Sequence, residues 1–532
     1  MKKEANKFLI FGYSLLSIVI IFVIYLNFSG ITYYCDSDLY GDMHLSKLMW
    51  EQKTLFPDNW VFGNQIYIIS PPVISALFYG LIGNIYTAMG ITSCICLFLF
   101  LASFYYMVKP FFEKTTIIYG LIALLTLRIS VTIMEDSIAQ LFFLQASYYS
   151  FYAITAMLVF GIYVRLIENS KISILTILLS LILSLAMGIQ SIRQTAIMVV
   201  PIIILECLRI IFNIYKKRPL KELKQTVIYA SLVSVFNIIG VIISKFIPVV
   251  RDEIYSTDSA GIVNRIISGI RSIIFSILDF LGFRSWLRDI VNSKIAWHTP
   301  IEVLLSIALL TIILYGLWCT IKNIKNQSVG KNYLLLLLTL SVLAIYGTFL
   351  LLNISRLTKY LFMTLILFAL LTMIAIENIK EKTRISRLVS IALVVFLCVS
   401  PIFEYIPSIY ESTFVESTEQ KTVKYMLDNN YSVIYSDWEH AGAIAGASNG
   451  KITAGRWDAT KIFEIKSHTN VMDIYEPKDN AKACYLLTDD NIDEALDFIE
   501  NSDATVKCIK QFYDKGLNET WYLYISDIQL MH

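Results

Sequence analysis

The sequence predicts a polytopic α-helical membrane protein of about eleven transmembrane helices, closed by a small extracytoplasmic α/β domain at its C-terminal end. Three observations predict it. First, 56% of the 532 residues are hydrophobic and only 16% are charged, with a mean hydropathy of +0.62. A soluble chain of that balance would expose far more apolar surface than water tolerates. Second, the apolar residues gather into runs of about 20, the length a helix needs to cross the hydrocarbon core of a bilayer. Third, the net charge of +2 hides a division: Glu416 to the C-terminus carries a net −9, and the rest of the chain +11. A basic, apolar body joined to an acidic tail of ordinary composition implies two physical environments.

The expected spans begin with residues 8–29, which follow Lys2 and Lys3. This run is too long for a signal-peptide core and has no small-residue cleavage site, so it reads as a permanent helix. Further spans are expected near 86–108, 116–133, 146–165, 172–190, 195–213, 226–248, 300–320, 333–352, 358–376 and 387–407. Lys and Arg concentrate in alternate short connections: Lys109 and Lys114, Arg165 and Lys171, Lys216 to Lys224, Lys322 to Lys331, and Lys380 to Arg387. The positive-inside rule makes those connections and the N-terminus cytoplasmic. With an odd number of spans, the acidic tail is then extracytoplasmic. The domains are therefore 1–407, the membrane part with long outer loops near 30–70 and 249–299, and 412–532, the external α/β domain. Within the second loop, 262–281 is apolar, but Gly269 and Arg271 and the parity of the spans favour an interfacial or re-entrant helix over a crossing one. Pro71-Pro72 opens an apolar stretch expected to lie along the outer surface.

The tail carries strand-like runs at 432–436, 451–454, 483–487, 505–509 and 521–525. Residues 491–500 form an amphipathic helix with Asn491 as its expected N-cap. Of the eight cysteines, Cys94 and Cys96 sit in an apolar run as small core residues, while Cys484 and Cys508 could pair in an oxidising space. No Walker loop, dinucleotide fingerprint or basic-aromatic stripe for nucleic acid occurs, so direct nucleotide-sugar chemistry on the cytoplasmic side has little support and no nucleic-acid partner is expected.

Charge beside an apolar boundary is expensive, which makes acids just outside a span a functional lead. Asp36 and Asp38 follow the first span directly, and Glu135 and Asp136 lie in the next outer loop. Such carboxylates could take a proton from an acceptor hydroxyl, or hold a divalent cation such as Mg2+ or Mn2+; a solvated loop would look the same. His44 could ligate metal or be an ordinary surface residue. The outward cations Arg193, Arg356 and Lys359 sit at the depth of a lipid phosphate, which Arg grips through two parallel hydrogen bonds. Snorkelling to ordinary phospholipids is the plain alternative. In the tail, Ser436-Asp437-Trp438-Glu439-His440 reads either as a sugar-binding edge or as a plain strand–helix junction.

The outer-loop residues resemble a family. Asp38-Leu39-Tyr40, then Leu45-Ser46-Lys47-Leu48-Met49-Trp50-Glu51, then Ser70-Pro71-Pro72-Val73, look like the first loop of GT-C glycosyltransferases of the protein mannosyltransferase-like group. Lys359-Tyr360-Leu361 is similar to their Arg-Tyr-Leu element, with Lys in place of Arg and without the proline that commonly follows. The resemblance covers residues 1–407. It implies a cell-membrane enzyme moving a sugar from a polyprenyl-phosphate-linked donor to an envelope glycan, lipid or protein acceptor on the outer face, in a bacterial membrane. It further implies Asp38 as the acidic catalytic residue with Asp36 as its competitor. Glu135 or Asp136 would assist acceptor or metal binding, as in the oligosaccharyltransferase branch, and Arg193, Arg356 and Lys359 would hold the donor phosphate. A lipid-linked saccharide flippase remains an alternative. So does an envelope glycan polymerase or ligase, which would use the arginines of 249–299, Arg284 and Arg288 among them.

Overall fold

In the computed structural model, the described residues are 2–30, 37–58, 60–63, 65–127, 142–144, 149–251, 262–291, 295, 297–351, 361–379, 383–449, 451–456, 469–470, 483–500, 505–514 and 519–526. Each of the eleven expected spans coincides with a helix. Among the described residues eight helices are long and apolar enough to cross a membrane, by length and composition. Lys114–Thr126, Ile174–Gln190 and Met363–Asn378, also expected as spans, are apolar but shorter. The span expected at 195–213 starts with a π-turn, Thr195–Val199, and continues as Val200–Tyr215. The last runs from Arg384 to Phe414, beyond its expected end at residue 407, through Pro401 and Pro407. Proline removes a backbone donor, and membrane helices accept it where neighbouring groups satisfy the freed carbonyls.

The chain divides into two compact units: 1–23, 94–247 and 255–407, and 24–93, 248–254 and 408–532. In the first, helices pack through small residues. A Cβ on Gly188 would lie 2.2 Å from the carbonyl oxygen of Asn237, and one on Gly240 2.2 Å from that of Leu185. The helices Ile174–Gln190 and Lys224–Ser244 therefore meet backbone to backbone, as small residues permit in membranes. Hydrogen bonds lace the same contact: Ser184 Oγ to the Val233 carbonyl (2.9 Å), Asn237 Nδ2 to the Ser184 carbonyl (3.0 Å), and Tyr229 to Ser180 Oγ (2.9 Å). Buried charges pair with each other. Arg209 donates to Glu206 (2.9 Å), Thr226 (2.9 Å) and Tyr163 (3.2 Å), and Lys331 pairs with Glu377.

Helix Ile262–Phe280 belongs to the first unit and is not among the eight. Its isoleucines Ile266, Ile267, Ile270 and Ile274 are exposed, while Ser272 and Ser276 are buried. The 3.6-residue period puts the two sets on different faces.

The second unit holds helix Ser37–Gln52, helix Pro71–Ile82 and the tail. Pro71–Ile82, at 12 residues, spans about 18 Å, short of a bilayer core. In chain order the strands are β1 Trp60–Phe62, β2 Val250–Arg251, β3 Val433–Ser436, β4 Thr453–Arg456, β5 Thr469–Asn470, β6 Ala483–Thr488, β7 Val506–Asp514 and β8 Glu519–Ser526, and the tail sheet has the order β4-β3-β6-β8-β7. Its strands are the five expected. β3 runs parallel to β4 and β6, and a parallel neighbour needs a crossover, which helix Trp438–Ala447 provides between β3 and β4. Alternate residues face opposite layers. Ile434, Leu486, Trp521 and Leu523 pack with Met426 and Ile444; Val433, Tyr435, Tyr485 and Leu487 pack with Ala495. Helix Thr418–Asp428 starts with a reciprocal capping box: the Gln420 N–H donates to Ser417 Oγ (3.2 Å) and the Ser417 N–H to Gln420 Oε1 (3.1 Å).

Two expectations for the tail change. Asn491 precedes helix Ile492–Glu500 and its carbonyl accepts from the Ala495 N–H, yet its side chain turns back to accept from the Thr488 N–H (2.8 Å). Cys484 and Cys508 are both free. They lie on β6 and β7 with β8 between them, and two strand spacings, about 10 Å, exceed the reach of a disulfide.

The close helix crossing gives a direct test. Gly240→Ala should destabilise the detergent-solubilised protein by about 1–3 kcal/mol, read as a lowered Tm. Gly347→Ala, where an added Cβ meets nothing within 4 Å, should leave it unchanged or slightly raise it.

Candidate functional site

Asp38 lies in the first turn of helix Ser37–Gln52 and is half-buried. The helical period places Asp38, Asp42, Leu45 and Met49 on one side and Tyr40, Met43, His44 and Lys47 on the other. Asp42, Leu45 and Met49 are buried, and the helix packs against Pro71–Ile82. On the second side, His44 Nδ1 lies 3.3 Å from the Tyr40 hydroxyl and the His44 ring stacks on Trp60 (5.7 Å, 14°). His44 is thus a packed residue of this helix rather than a loop residue. Asp36, Glu135, Asp136, Arg356 and Lys359 lie outside the described residues.

Arg193 sits in the short connection between Ile174–Gln190 and the π-turn, in the other unit. Its backbone N–H donates to Ser191 Oγ (3.2 Å), and Nη1 donates to the Tyr149 hydroxyl (2.9 Å) with the guanidinium 5.2 Å from that ring's centroid. Tyr149 in turn stacks on Phe362 (5.2 Å, 23°), which meets Phe142 edge-on (5.6 Å). The aromatic stack therefore joins Arg193, through Tyr149, to Phe362 at the start of helix Met363–Asn378. Gln194 beside it is fully buried, and its Oε1 has no partner among the described residues.

The tail segment 436–440 is a strand–helix junction. The Asp437 carboxylate accepts from the His440 N–H (3.1 Å) in the first turn of helix Trp438–Ala447, and its oxygens lie 2.8 Å from His440 Nδ1. His440 Nε2 lies 3.1 Å from Glu519 Oε1, which also accepts from the Trp521 indole N–H (2.7 Å). Burial alone would keep this ring neutral. Its two hydrogen bonds to carboxylates outweigh that and push its pKa up to about 10. His440 is a half-buried ring held between two acids, which favour its charged form.

No three His, Cys, Asp or Glu side chains converge on a metal-sized site among the described residues. The described acids thus do not by themselves fit a cation, and no step is assigned to one.

A solved structure resembles the whole chain: the crystal structure of ArnT from Cupriavidus metallidurans in the apo state. The likeness covers 99% of this chain and 98% of that one, with a TM-score of 0.53 and 10% sequence identity. The chain shares the fold of that structure. No family model matches the chain, and no curated protein resembles it in sequence.

Within this fold, sequence reasoning missed Tyr149 and Trp60. Tyr149 is one of several aromatics in a row, beside Tyr148, Phe151 and Tyr152, and Trp60 lies two residues from Phe62, so nothing in either local pattern singles it out. The i, i+4 spacing of Tyr40 and His44 was the available signal for that pair. For His440 the consequence is a pH dependence. Its folded pKa is raised above the ordinary 6.5, so its stabilisation is complete below that pH and is lost as pH rises towards about 10. Tail stability, followed by Trp fluorescence during thermal unfolding of the whole protein, should fall across that window, and His440→Gln should flatten the fall.

Proposed function

We propose that the protein is an inverting membrane glycosyltransferase of the GT-C type. It moves a sugar from a polyprenyl-phosphate-linked donor to an envelope glycan, lipid or protein acceptor on the outer face of the membrane. The observation that carries this reading is an ArnT-like fold along the chain with an acid, Asp38, opening the helix after the first span. The Asp38 carboxylate takes the proton of the acceptor hydroxyl as its oxygen attacks the anomeric carbon. The bond between that carbon and the phosphate oxygen breaks on the opposite side, which inverts the anomeric centre. The departing lipid phosphate gathers negative charge, and Arg193, steadied by Tyr149, stabilises it. The pairing of buried charges within the helical unit, Arg209 with Glu206 and Lys331 with Glu377, favours transfer over a flippase, which needs a polar path for its cargo.

The experiment is transfer of radiolabelled sugar from polyprenyl-phosphate donors in purified membranes. Asp38→Asn should lower transfer on the order of 10²–10⁴-fold while the protein still inserts and binds donor. Undiminished transfer would remove Asp38 from the reaction. Arg193→Ala should weaken donor affinity by roughly tenfold to a hundredfold, and Tyr149→Phe by about fivefold, because the second change removes one hydrogen bond and keeps the aromatic stack.

A further inference from the structure

We infer that the C-terminal domain is a working part of the transfer site: it holds helix Ser37–Gln52, and with it Asp38, from the side opposite the carboxylate. This rests on the assignment of Asp38 given above. Three pieces of the chain meet in a small sheet whose middle strand is Trp60–Phe62. That strand pairs in parallel with Val250–Arg251 of the second outer loop and antiparallel with Thr469–Asn470 of the tail. Val61 faces Val250 on one side and Thr469 on the other. Trp60, Val61 and Phe62 are all buried, so the strand is fixed on both edges and both faces.

The strand reaches the helix through one ring pair, Trp60 stacked on His44, with His44 in turn against Tyr40. A second contact comes from the tail itself. Helix Trp438–Ala447 packs against Ser37–Gln52, and Tyr40, Met43, His44 and Lys47 line a small cleft with Gly446 and Asn449. Both contacts fall on the Tyr40–His44–Lys47 side of the helix. Asp38 and Asp42 project from the other side, so the tail acts on the carboxylate through the helix rather than by touching it. The helix needs such support. It is 16 residues long, carries Gly41 in its interior, and has a near-neutral mix of polar and apolar residues. A segment of that kind is marginal alone and takes its stability from packing. A shift of about 1 Å in a catalytic group can cost about a hundredfold in rate. His44 is accordingly a positioning residue, the joint between the strand held by the tail and the helix that carries the acid.

The test uses the full-length protein in membranes, with sugar transfer measured at varied donor concentration. His44→Ala should lower kcat about tenfold while the KM for donor stays within about twofold. His44→Phe, which keeps a flat ring on Trp60, should recover most of the loss. Hydrogen exchange of residues 37–52 should speed up in His44→Ala and return in His44→Phe, with the amides of Ser150–Ile167 unchanged. Unaltered kcat in His44→Ala, or a change confined to KM, overturns the proposal. A second measurement does not depend on that variant folding. Lys47→Cys with Asn449→Cys, bridged by a reducible bifunctional thiol reagent, should keep transfer within about twofold of the unbridged form, because the tail stays seated on the helix through turnover. A tenfold fall on bridging, reversed by reductant and absent from the single cysteine variants, overturns it. Asp38→Asn in the same assay separates the two claims. If Asp38→Asn retains full transfer, the assignment of Asp38 is what fails; if it loses transfer and His44→Ala does not, only the role of the tail fails.

Discussion

A bilayer core offers no hydrogen-bond partner to an open backbone amide, so the apolar segments of this chain can be accommodated only as helices, and any charge they carry must find a partner within protein. The consequences are visible at the level of single residues. Arg209 spends its donors on Glu206, Thr226 and Tyr163, and Lys331 pairs with Glu377. Gly188 and Gly240 let two helices approach until backbone meets backbone, since lipid supplies no hydrophobic drive to hold bulkier surfaces together. Asp38 and the tail lie in the second unit.

That unit is assembled from segments far apart in the chain. A three-residue strand at Trp60–Phe62 takes one partner from residue 250 and another from residue 469. Closing such loops costs entropy that three residues of pairing cannot offset alone. The buried Trp60, Val61 and Phe62 side chains and the His44 stack supply the rest. The tail domain is therefore tied into the unit at two places, its strand Thr469–Asn470 and its helix Trp438–Ala447, and both lead to the helix that bears Asp38.

Much of this was legible in the sequence because its signals are local. Runs of about 20 apolar residues mark spans. Alternating Val, Ile, Tyr and Leu mark β3, β6 and β8, and the Ile492–Glu500 helix follows from the spacing of Ile492, Ala495 and Ile499. Where the signal is non-local, the reading fell short. The pairing of Cys484 with Cys508 depended on strand order, which composition does not encode, and β8 inserts between them. Tyr149 acts through Arg193 and Phe362, which are 44 and 213 residues away in the chain. Trp60 acts through a strand too short to leave a pattern. Asp437 and His440 could be read as a junction, but Glu519, which completes the clamp, lies 79 residues further on.

Transfer and carriage of the lipid-linked sugar differ in where the sugar goes. Sugar-labelled polyprenyl-phosphate donor is supplied to right-side-out membrane vesicles with an acceptor that cannot cross the bilayer, and both the label and the lipid phosphate are followed. Label should pass to the external acceptor with inverted anomeric configuration, while one polyprenyl phosphate is released for each sugar moved. Donor that only redistributes between leaflets with its sugar still attached would contradict transfer, and would make the protein a carrier of the lipid-linked sugar rather than its transferase.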